Sequence, residues 1–448
     1  MSDFEELTKK LKEIGVGVML DMVLNHCSTE NIWFKKALAG DEKYRKFFYL
    51  RKAKPDGSLP NNWQSKFGGP AWAKFGDTDY YYLHLYDPTQ ADLDWHNPEV
   101  RQELFKVINF WRSKGVHGFR FDVINVTGKD EKLVDSTGDP SQEKSLYTDT
   151  AVVHQYLKEM NRSTFGQDPD SITVGEMSST TIANSIEYSK PSEHELSMVF
   201  TFHHLKVDYK NGEKWSKEPF DFMKLKHLFT EWQEKMDQGG GWNALFWNNH
   251  DQPWALNRFG DTGKYREKSA EMLATATHCM RGTPYIYMGE EIGMMDPHYS
   301  SIHDYVDVEA KNAFAALKQK GISDDEAFAI VKTKARDNSR VPMHWDDSKF
   351  AGFSESKPWL LPTDQDRINV EKELHEGEIF AYERFLKDEA KKILVFTNFY
   401  GTDHVAPLPE QYQNKNYQLV LSNYSAQDGK LGENISLKPY EALVIKIN

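Results

Sequence analysis

The chain has 448 residues, of which 39% are hydrophobic, and this content is enough for a packed core and argues against disorder. Its net charge of −13 argues against a nucleic-acid partner, because an acidic surface repels phosphates, although a small anionic substrate needs only a local cationic pocket. No run approaches the roughly 18 apolar residues of a membrane span, so we expect no membrane partner.

The N-terminus is charged and lacks the apolar segment of a secretion signal. Only Cys27 and Cys279 are present, far apart and without metal-ligand spacing. A disulfide framework is therefore not expected, and a reducing compartment, the cytoplasm, fits better.

The first residues predict a helix with Asp3 as its cap, because apolar residues recur at helical spacing: Phe4, Leu7, Leu11 and Ile14. The apolar run 16–24 then predicts a buried parallel strand, which ends in Asn25-His26. Residues 27–96 form an aromatic, Gly/Pro-punctuated excursion that is too long for a plain loop. Order returns at Asn97-Pro98-Glu99, a typical helix start.

Short apolar runs in the next part of the chain predict further strands at 118–124, 172–176, 196–202, 243–247 and 283–287. Helical stretches such as 149–161 and 220–236 separate them, and this alternation predicts an α/β fold with a parallel sheet, a (β/α) barrel. From about residue 376 the pattern changes to strands with few helices, which predicts a small all-β domain: 392–396, 417–421 and 442–447.

Polar residues follow several of these runs, where a barrel would place its chemistry: Asn25-His26, Arg120-x-Asp122, Glu176 and His250-Asp251. Arg120 and Asp122 are two apart on a strand and point the same way, so the Arg favours an ionised Asp122. Taken alone, each residue is more often structural, as a cap, a core histidine or a salt-bridge partner. Four such clusters on different strands favour a functional interpretation.

Two carboxylates about 5 Å apart suit a retaining glycosidase. One of the two, Asp122 or Glu176, would attack the anomeric carbon, and the other would protonate the leaving oxygen and then activate water. Asp251 could hold sugar hydroxyls as positive charge develops on the ring, and His250 and His26 could donate hydrogen bonds to those hydroxyls.

The motifs Asp21-Met-Val-Leu-Asn-His26, Gly118-Phe-Arg-Phe-Asp122, Gly175-Glu176 and Asn249-His-Asp251 resemble, in order, the four sequence regions of the α-amylase (family 13) glycoside hydrolases. The resemblance implies a (β/α)8 TIM barrel at 1–26 and 97–375, an inserted domain B at 27–96 and a C-terminal β-sandwich domain at 376–448. It also implies that Asp122 is the nucleophile, Glu176 the acid/base and Asp251 the transition-state stabiliser. His26, Arg120 and His250 would line the first sugar subsite.

A narrower resemblance to trehalose-6-phosphate hydrolases lies in residues 198–209 and 212–215. The expected reaction is hydrolysis of α,α-trehalose 6-phosphate to glucose and glucose 6-phosphate in trehalose catabolism. The similar oligo-1,6-glucosidases and dextran glucosidases lack the His-His-Leu-Lys-Val-Asp-Tyr stretch, and an α-1,6-glucosidase is the alternative. Lys206 is a candidate phosphate ligand, and a structural lysine on a polar face is the competing interpretation.

Three departures from the family pattern favour a truncated or catalytically impaired homologue, or a non-catalytic sugar-binding protein. The match begins at the helix before the third barrel strand, so the first two strands and the calcium-type loop are expected to be absent. We therefore expect no metal and no cofactor, and a monomer. Trp254 stands where close relatives carry an Arg, and 368–374 runs almost directly into 379–382, where relatives place a final barrel helix.

Overall fold

The computed structural model describes residues 1–363, 379–385 and 391–447. The chain divides into a first unit, residues 1–202 and 234–244, and a second unit, residues 203–233 and 245–448. The three-part domain division expected from the sequence stays a prediction. Its boundary at 375/376 and the segment 368–374 lie outside the described residues.

The helices that begin in the first unit are α1 (Ser2–Glu13), α2 (Ile32–Leu38), α3 (Glu42–Arg45), α4 (Pro98–Ser113), α5 (Pro140–Ser145), α6 (Ala151–Ser163) and α7 (Ile182–Ser189). Its strands are β1 (Val18–Val23), β2 (His26–Ser28), β3 (Leu50–Lys52), β4 (Trp72–Lys74), β5 (Tyr80–Leu83), β6 (Gln90–Asp92), β7 (Val116–Asp122), β8 (Ile172–Glu176) and β9 (Met198–Phe200).

A parallel sheet with the order β1-β7-β8-β9 forms the centre of the first unit. The pairing aligns Val23 with Asp122 and Phe121 with Gly175. All four strands run in the same direction. Asp122 and Glu176 therefore lie side by side at the carboxyl ends of two neighbouring strands. The predicted parallel sheet is confirmed, although the strand predicted at 196–202 is shorter, as β9.

Helix starts were predicted with mixed success. In α4 the Asn97 side chain accepts a hydrogen bond from the Glu99 backbone N–H, and Pro98 occupies the first turn, as predicted. In α1 the predicted Asp3 cap is wrong, because the helix begins at Ser2 and Met1 is its cap, without a side-chain hydrogen bond. Asp3 lies instead in the first turn, where its charge suits the helix dipole.

The excursion at 27–96 folds into small antiparallel sheets, β2-β6 and β3-β5-β4. Its buried residues form one hydrophobic cluster with residues that follow β7: Tyr49, Trp63, Ala71, Trp72, Leu83, Leu85, Val123, Val126, Leu133 and Tyr147. The excursion therefore packs directly on the turn that follows Asp122.

β1 lies at the edge of the parallel sheet, and among the described residues it pairs with β7 alone. Val23, at the end of this strand, is 47% exposed. A groove of about 430 Å³ runs beside it, lined by apolar side chains that include Leu20, Met22, Leu104, Val107 and Trp111. Among the residues that the structure describes, the outer side of β1 therefore pairs with no further strand.

The remaining helices are α8 (Phe222–Gly239), α9 (Ala255–Phe259), α10 (Arg266–His278), α11 (Val308–Gln319) and α12 (Asp324–Lys332). The remaining strands are β10 (Ala244–Leu245), β11 (Thr283–Pro284), β12 (Ile379–Phe385), β13 (Lys392–Asn398), β14 (His404–Pro407), β15 (Asn416–Ser422), β16 (Gly429–Lys430), β17 (Asn434–Leu437) and β18 (Ala442–Ile447).

The C-terminal part of the second unit is an antiparallel sheet with the order β12-β13-β18-β15-β16. Leu394, Phe396, Leu443 and Ile445 belong to its buried core. The predicted all-β region is confirmed. The strands predicted at 243–247 and 283–287 are short, as β10 and β11, and Pro284 has no N–H to extend a ladder.

Phe119→Ala is expected to lower the free energy of unfolding of the first unit by about 3–5 kcal/mol, because Phe119 is fully buried in β7 and stacks near Phe121. Urea denaturation followed by tryptophan fluorescence measures the change. Phe110→Ala, at a position 45% exposed, is the control and should change stability by less than about 1 kcal/mol. Equal effects of the two substitutions would contradict the assigned core.

Candidate active site

The guanidinium of Arg120 lies among three carboxylates of the first unit. Nη1 donates to Asp21 Oδ1 at 2.8 Å, to Asp21 Oδ2 at 2.7 Å and to Asp122 Oδ1 at 2.7 Å. Nη2 forms an ion pair with Glu176 Oε2. Burial lowers the pKa of Arg120, but the hydrogen bonds to Asp21 and Asp122 and their charges outweigh it and raise that pKa. Arg120 is therefore a permanent cation at the strand ends.

Asp122 and Glu176 differ in their access to solvent. The Glu176 side chain is 7% exposed and that of Asp122 is 23% exposed. Both carboxylates contact terminal nitrogens of one guanidinium, an arrangement compatible with the separation of about 5 Å that retaining glycosidases use. One guanidinium therefore bridges the two carboxylates.

His26 lies above a buried network centred on Lys129. The Lys129 ammonium donates to Asn25 Oδ1 at 2.8 Å and is 3.1 Å from Asp92 Oδ2, with both charged side chains fully buried. His26 Nδ1 is 3.2 Å from Asn25 Nδ2. Burial lowers the pKa of His26 and outweighs the opposing charges of Asp92 and Asp122, so the neutral imidazole is favoured.

In the second unit, Asp251 is paired with two arginines. Arg340 Nη2 donates to Asp251 Oδ1 at 2.8 Å and Arg336 Nη1 donates to it at 3.2 Å. His250 Nε2 lies 3.5 Å from Asp251 Oδ2. Burial raises the pKa of Asp251, but the charges of His250, Arg336 and Arg340 outweigh it and lower that pKa. Asp251 is thus held as a carboxylate.

The same arginines continue into a larger ionic cluster. Arg336 and Arg340 both pair with Asp307, each at 3.0 Å. Lys214 donates to both oxygens of Glu309, at 2.9 and 2.8 Å, and Arg336 Nε is 3.2 Å from Glu309. Three cations thereby face three carboxylates, counting Asp251, and the cluster is charge-balanced.

Lys206 ends the 3-10 turn His203–Lys206, which follows β9 in sequence. Burial, and then the charge of Lys206, lower the pKa of His203 to about 4. Burial also lowers the pKa of His204 to about 4, and its Nε2 lies 2.8 Å from the Phe246 carbonyl oxygen, to which the neutral ring donates. The two histidines are therefore neutral near pH 7, which leaves Lys206 as the cation of this turn.

Among the described residues, one group has the donors for a metal ion: His154, Glu187 and Glu195, with ligand atoms within 4.8 Å of one another. His154 Nδ1 is 3.0 Å from Glu195, and its Nε2 is 3.7 Å from Glu187. Burial lowers the pKa of His154, but the hydrogen bond to Glu195 and the nearby carboxylates outweigh it and raise that pKa. The contacts with these carboxylates therefore favour the protonated form of His154.

Comparison with known proteins decides the family. Residues 1–391 match the model of the alpha-amylase catalytic domain. The chain belongs to the α-amylase family.

Two curated relatives and one crystal structure illustrate this membership. The trehalose-6-phosphate hydrolase of Bacillus subtilis (strain 168) is 44% identical over 482 residues, covering 100% of this chain and 85% of the relative. The oligo-1,6-glucosidase of Parageobacillus thermoglucosidasius is 38% identical, covering 100% of this chain and 86% of the relative. The trehalose-6-phosphate hydrolase of Bacillus licheniformis matches with a TM-score of 0.91 at 44% identity, covering 100% of this chain and 86% of that structure.

The family resemblance predicted from the sequence motifs is confirmed, as is the α-amylase type of fold, an α/β barrel with an all-β C-terminal domain. The predicted Arg120 contacts both Asp122 and Glu176 in the first unit, and His26 lies near Asp122. The roles predicted for these residues, and for those of the second unit, stay predictions. No described helix combines enough length with enough apolar character to cross a membrane.

Trp254 of this α-amylase family chain is part of a hydrophobic core. Its side chain is 2% exposed, and its ring centroid lies 5.6 Å from that of Tyr287. Met294 belongs to the same cluster. An indole here packs with apolar neighbours, whereas an Arg at this position would need charged partners.

Several site residues were not predicted from the sequence. Asp21 lies within a quoted motif, but its hydrogen bonds to Arg120 were not foreseen. Arg336 begins a 3-10 turn and Arg340 ends it, so neither residue lies at the end of a predicted strand. The pattern in the sequence that marks them is a pair of arginines four residues apart. Both follow Ala335, which is buried in the structure.

The stability of the second unit is expected to fall as the pH drops from about 6.5 to about 4. His204 takes up a proton near pH 6.5 when unfolded but only near 4 when folded, so protonation favours the unfolded state in this window. His204→Asn should make the decline shallower by up to about 1.4 kcal/mol per pH unit. Urea midpoints measured at several pH values give the slope.

The exposed His298 provides the control, since His298→Asn should leave the slope of stability against pH as in the wild type. A His204→Asn protein with an unchanged slope would show that this imidazole is not held neutral.

Proposed function

We propose that this chain hydrolyses α,α-trehalose 6-phosphate to glucose and glucose 6-phosphate with retention of anomeric configuration. The supporting observation is the 44% identity with a trehalose-6-phosphate hydrolase over the full length of this chain. The oligo-1,6-glucosidase is 38% identical over the same length, so α-1,6-glucosidase activity is the second candidate.

The Arg120 cluster supports a double-displacement mechanism. The Asp122 carboxylate attacks the anomeric carbon while Glu176 gives its proton to the departing glycosidic oxygen. Glucose 6-phosphate leaves, and a glucosyl ester of Asp122 remains. Glu176, now a carboxylate, takes a proton from water as the water attacks the ester, and glucose is released. The contact with Arg120 holds the Asp122 carboxylate in place at the end of β7.

The other motif residues are assigned supporting roles in this proposal. Asp251, kept ionised by its two arginines, would stabilise the positive charge that develops on the sugar ring. His26, Arg120 and His250 would bind hydroxyls of the first sugar. The neutral state of His26 suits this role, because a neutral imidazole both donates and accepts.

The surroundings in which the reaction takes place are part of the proposal. The partner is a small sugar phosphate and not a nucleic acid, in agreement with the net charge of −13. The site of action is the cytoplasm, and the chain acts as a monomer.

The wild-type protein should hydrolyse trehalose 6-phosphate at least about tenfold more efficiently than isomaltose, and Asp122→Asn should lower kcat by roughly 10³-fold or more because the nucleophile is lost. Released glucose measures both, and proton NMR should show that the glucose is released as its α-anomer. The exposed Asp79 is the control position, where Asp79→Asn should behave as the wild type.

Faster hydrolysis of isomaltose would favour the α-1,6-glucosidase, and full activity of Asp122→Asn would contradict the assigned nucleophile. Turnover at rates ordinary for enzymes would exclude an impaired homologue.

Lys206→Ala should raise KM for trehalose 6-phosphate by about 10- to 100-fold, the effect of losing a charged hydrogen bond to phosphate. The KM for 4-nitrophenyl α-glucoside, which has no phosphate, should not change. Lys210 is a matched control on the same segment, 65% exposed and paired with Glu218. Equal changes for both substrates would show that Lys206 is structural.

A further inference from the structure

Asn125 is a fully buried side chain three residues beyond Asp122. Its Nδ2 donates to Asp149 Oδ1 at 2.9 Å and to the Ser179 carbonyl oxygen at 3.1 Å. Its Oδ1 accepts from the Ser178 backbone N–H at 3.0 Å. Both amide hydrogens and the carbonyl oxygen of this carboxamide are therefore used.

These hydrogen bonds join the chain segments that follow the two candidate catalytic carboxylates. Ser178 and Ser179 come directly after Glu176 and Met177 at the end of β8. The ladder between β7 and β8 has its last pair at Phe121 and Gly175, one residue before each carboxylate. Asn125 thus links the two segments at a point where this ladder has ended.

The turn that carries Asn125 is tightly held against β8. A side chain added at Gly175 would place its Cβ 3.2 Å from Ile124 Cγ2. Val123 has a φ of +37°, a left-handed conformation that is unfavourable for a β-branched residue. The Val126 N–H donates to the Val123 carbonyl at 3.1 Å and closes the turn. The chain therefore adopts a strained conformation that brings Asn125 to the neighbouring segment.

Asp149 fixes the orientation of the carboxamide. Its backbone N–H donates to the backbone carbonyl oxygen of Asn125 at 3.0 Å. Its carboxylate accepts from both Asn125 Nδ2 and the buried Tyr188 hydroxyl, the latter at 2.9 Å. The Tyr188 ring in turn stacks on His154, with centroids 4.5 Å apart. A carboxylate facing Nδ2 excludes the flipped amide, so Oδ1 must face Ser178.

We propose that Asn125 is a positioning residue that fixes the placement of Glu176 relative to Asp122. This role rests on the proposed function, in which these are the acid/base and the nucleophile. Both carboxylates keep their strand pairing, with Val23 and Phe200, and their contact with Arg120 when Asn125 is replaced. The segment after Glu176 loses two of its backbone partners, so proton donation by Glu176 suffers more than nucleophilic attack.

The test compares two leaving groups through kcat/KM, which reports the first chemical step. A sugar leaving group needs the proton from Glu176, whereas 4-nitrophenolate leaves with little help. Asn125→Asp keeps the acceptor for Ser178 but loses both donations and places a carboxylate against Asp149. It should lower kcat/KM for trehalose 6-phosphate by about 100-fold and for 4-nitrophenyl α-glucoside by less than about tenfold.

A double variant, Asn125→Asp with Asp149→Asn, restores a donor facing an acceptor and should recover at least about tenfold of the lost kcat/KM for trehalose 6-phosphate. It also covers the case in which Asn125→Asp folds poorly. Thr127→Ala is the control, because Thr127 is equally buried in the same turn but donates locally to the Ile124 carbonyl at 2.9 Å. In Thr127→Ala, kcat/KM should change by the same factor for the two substrates.

Equal losses for both substrates in Asn125→Asp, or no recovery in the double variant, would overturn the positioning role while leaving the proposed function intact. A wild-type protein that hydrolyses neither substrate would overturn the proposed function, and the role of Asn125 with it.

Discussion

One cation among three carboxylates is the interaction on which the first unit depends. Arg120 contacts Asp21 of β1, Asp122 of its own strand and Glu176 of β8. Without the guanidinium, three negative charges would crowd the same sheet edge, and their repulsion would oppose the strand pairing. The group that contacts both candidate catalytic carboxylates therefore also joins three adjacent strands, so the candidate site and the fold share one interaction.

The buried Lys129 shows the same principle deeper in the unit. The Lys129 side chain is fully buried, and Asp92 and Asn25 are its partners. Burial lowers the pKa of Lys129 despite the opposing charge of Asp92. Removing one partner would leave an uncompensated buried charge, which is far more costly than removing both. His26 contacts Asn25, so its ring depends on this ion pair as well.

Features that depend on local sequence could be predicted, and those that depend on distant partners could not. The run Phe119-Arg-Phe-Asp122 predicts a buried strand with polar groups on one face. Because a barrel places its chemistry at the ends of its strands, Asp122 and Glu176 could be predicted as site residues. The Asn97 cap could also be predicted, whereas α1 begins at Ser2, two residues before the start at Phe4 that an Asp3 cap implied.

The partners of Arg336, Arg340 and Asn125 are residues far away in sequence or backbone groups. The spacing of residues within one helix or strand does not predict such contacts. Trp254 illustrates the same limit. The sequence shows a substitution, and only the packing with Tyr287 and Met294 shows that the indole belongs to a core.

The open edge of β1 has a consequence for how the protein behaves at high concentration. A free strand edge is a template onto which another chain can add a strand, the usual route to aggregation. Asp21 lies in the middle of this edge with its side chain 49% exposed. An incoming strand would have to strip water from that carboxylate. Asp21 therefore helps to hold Arg120 in place and also opposes the addition of a strand at the edge of the sheet.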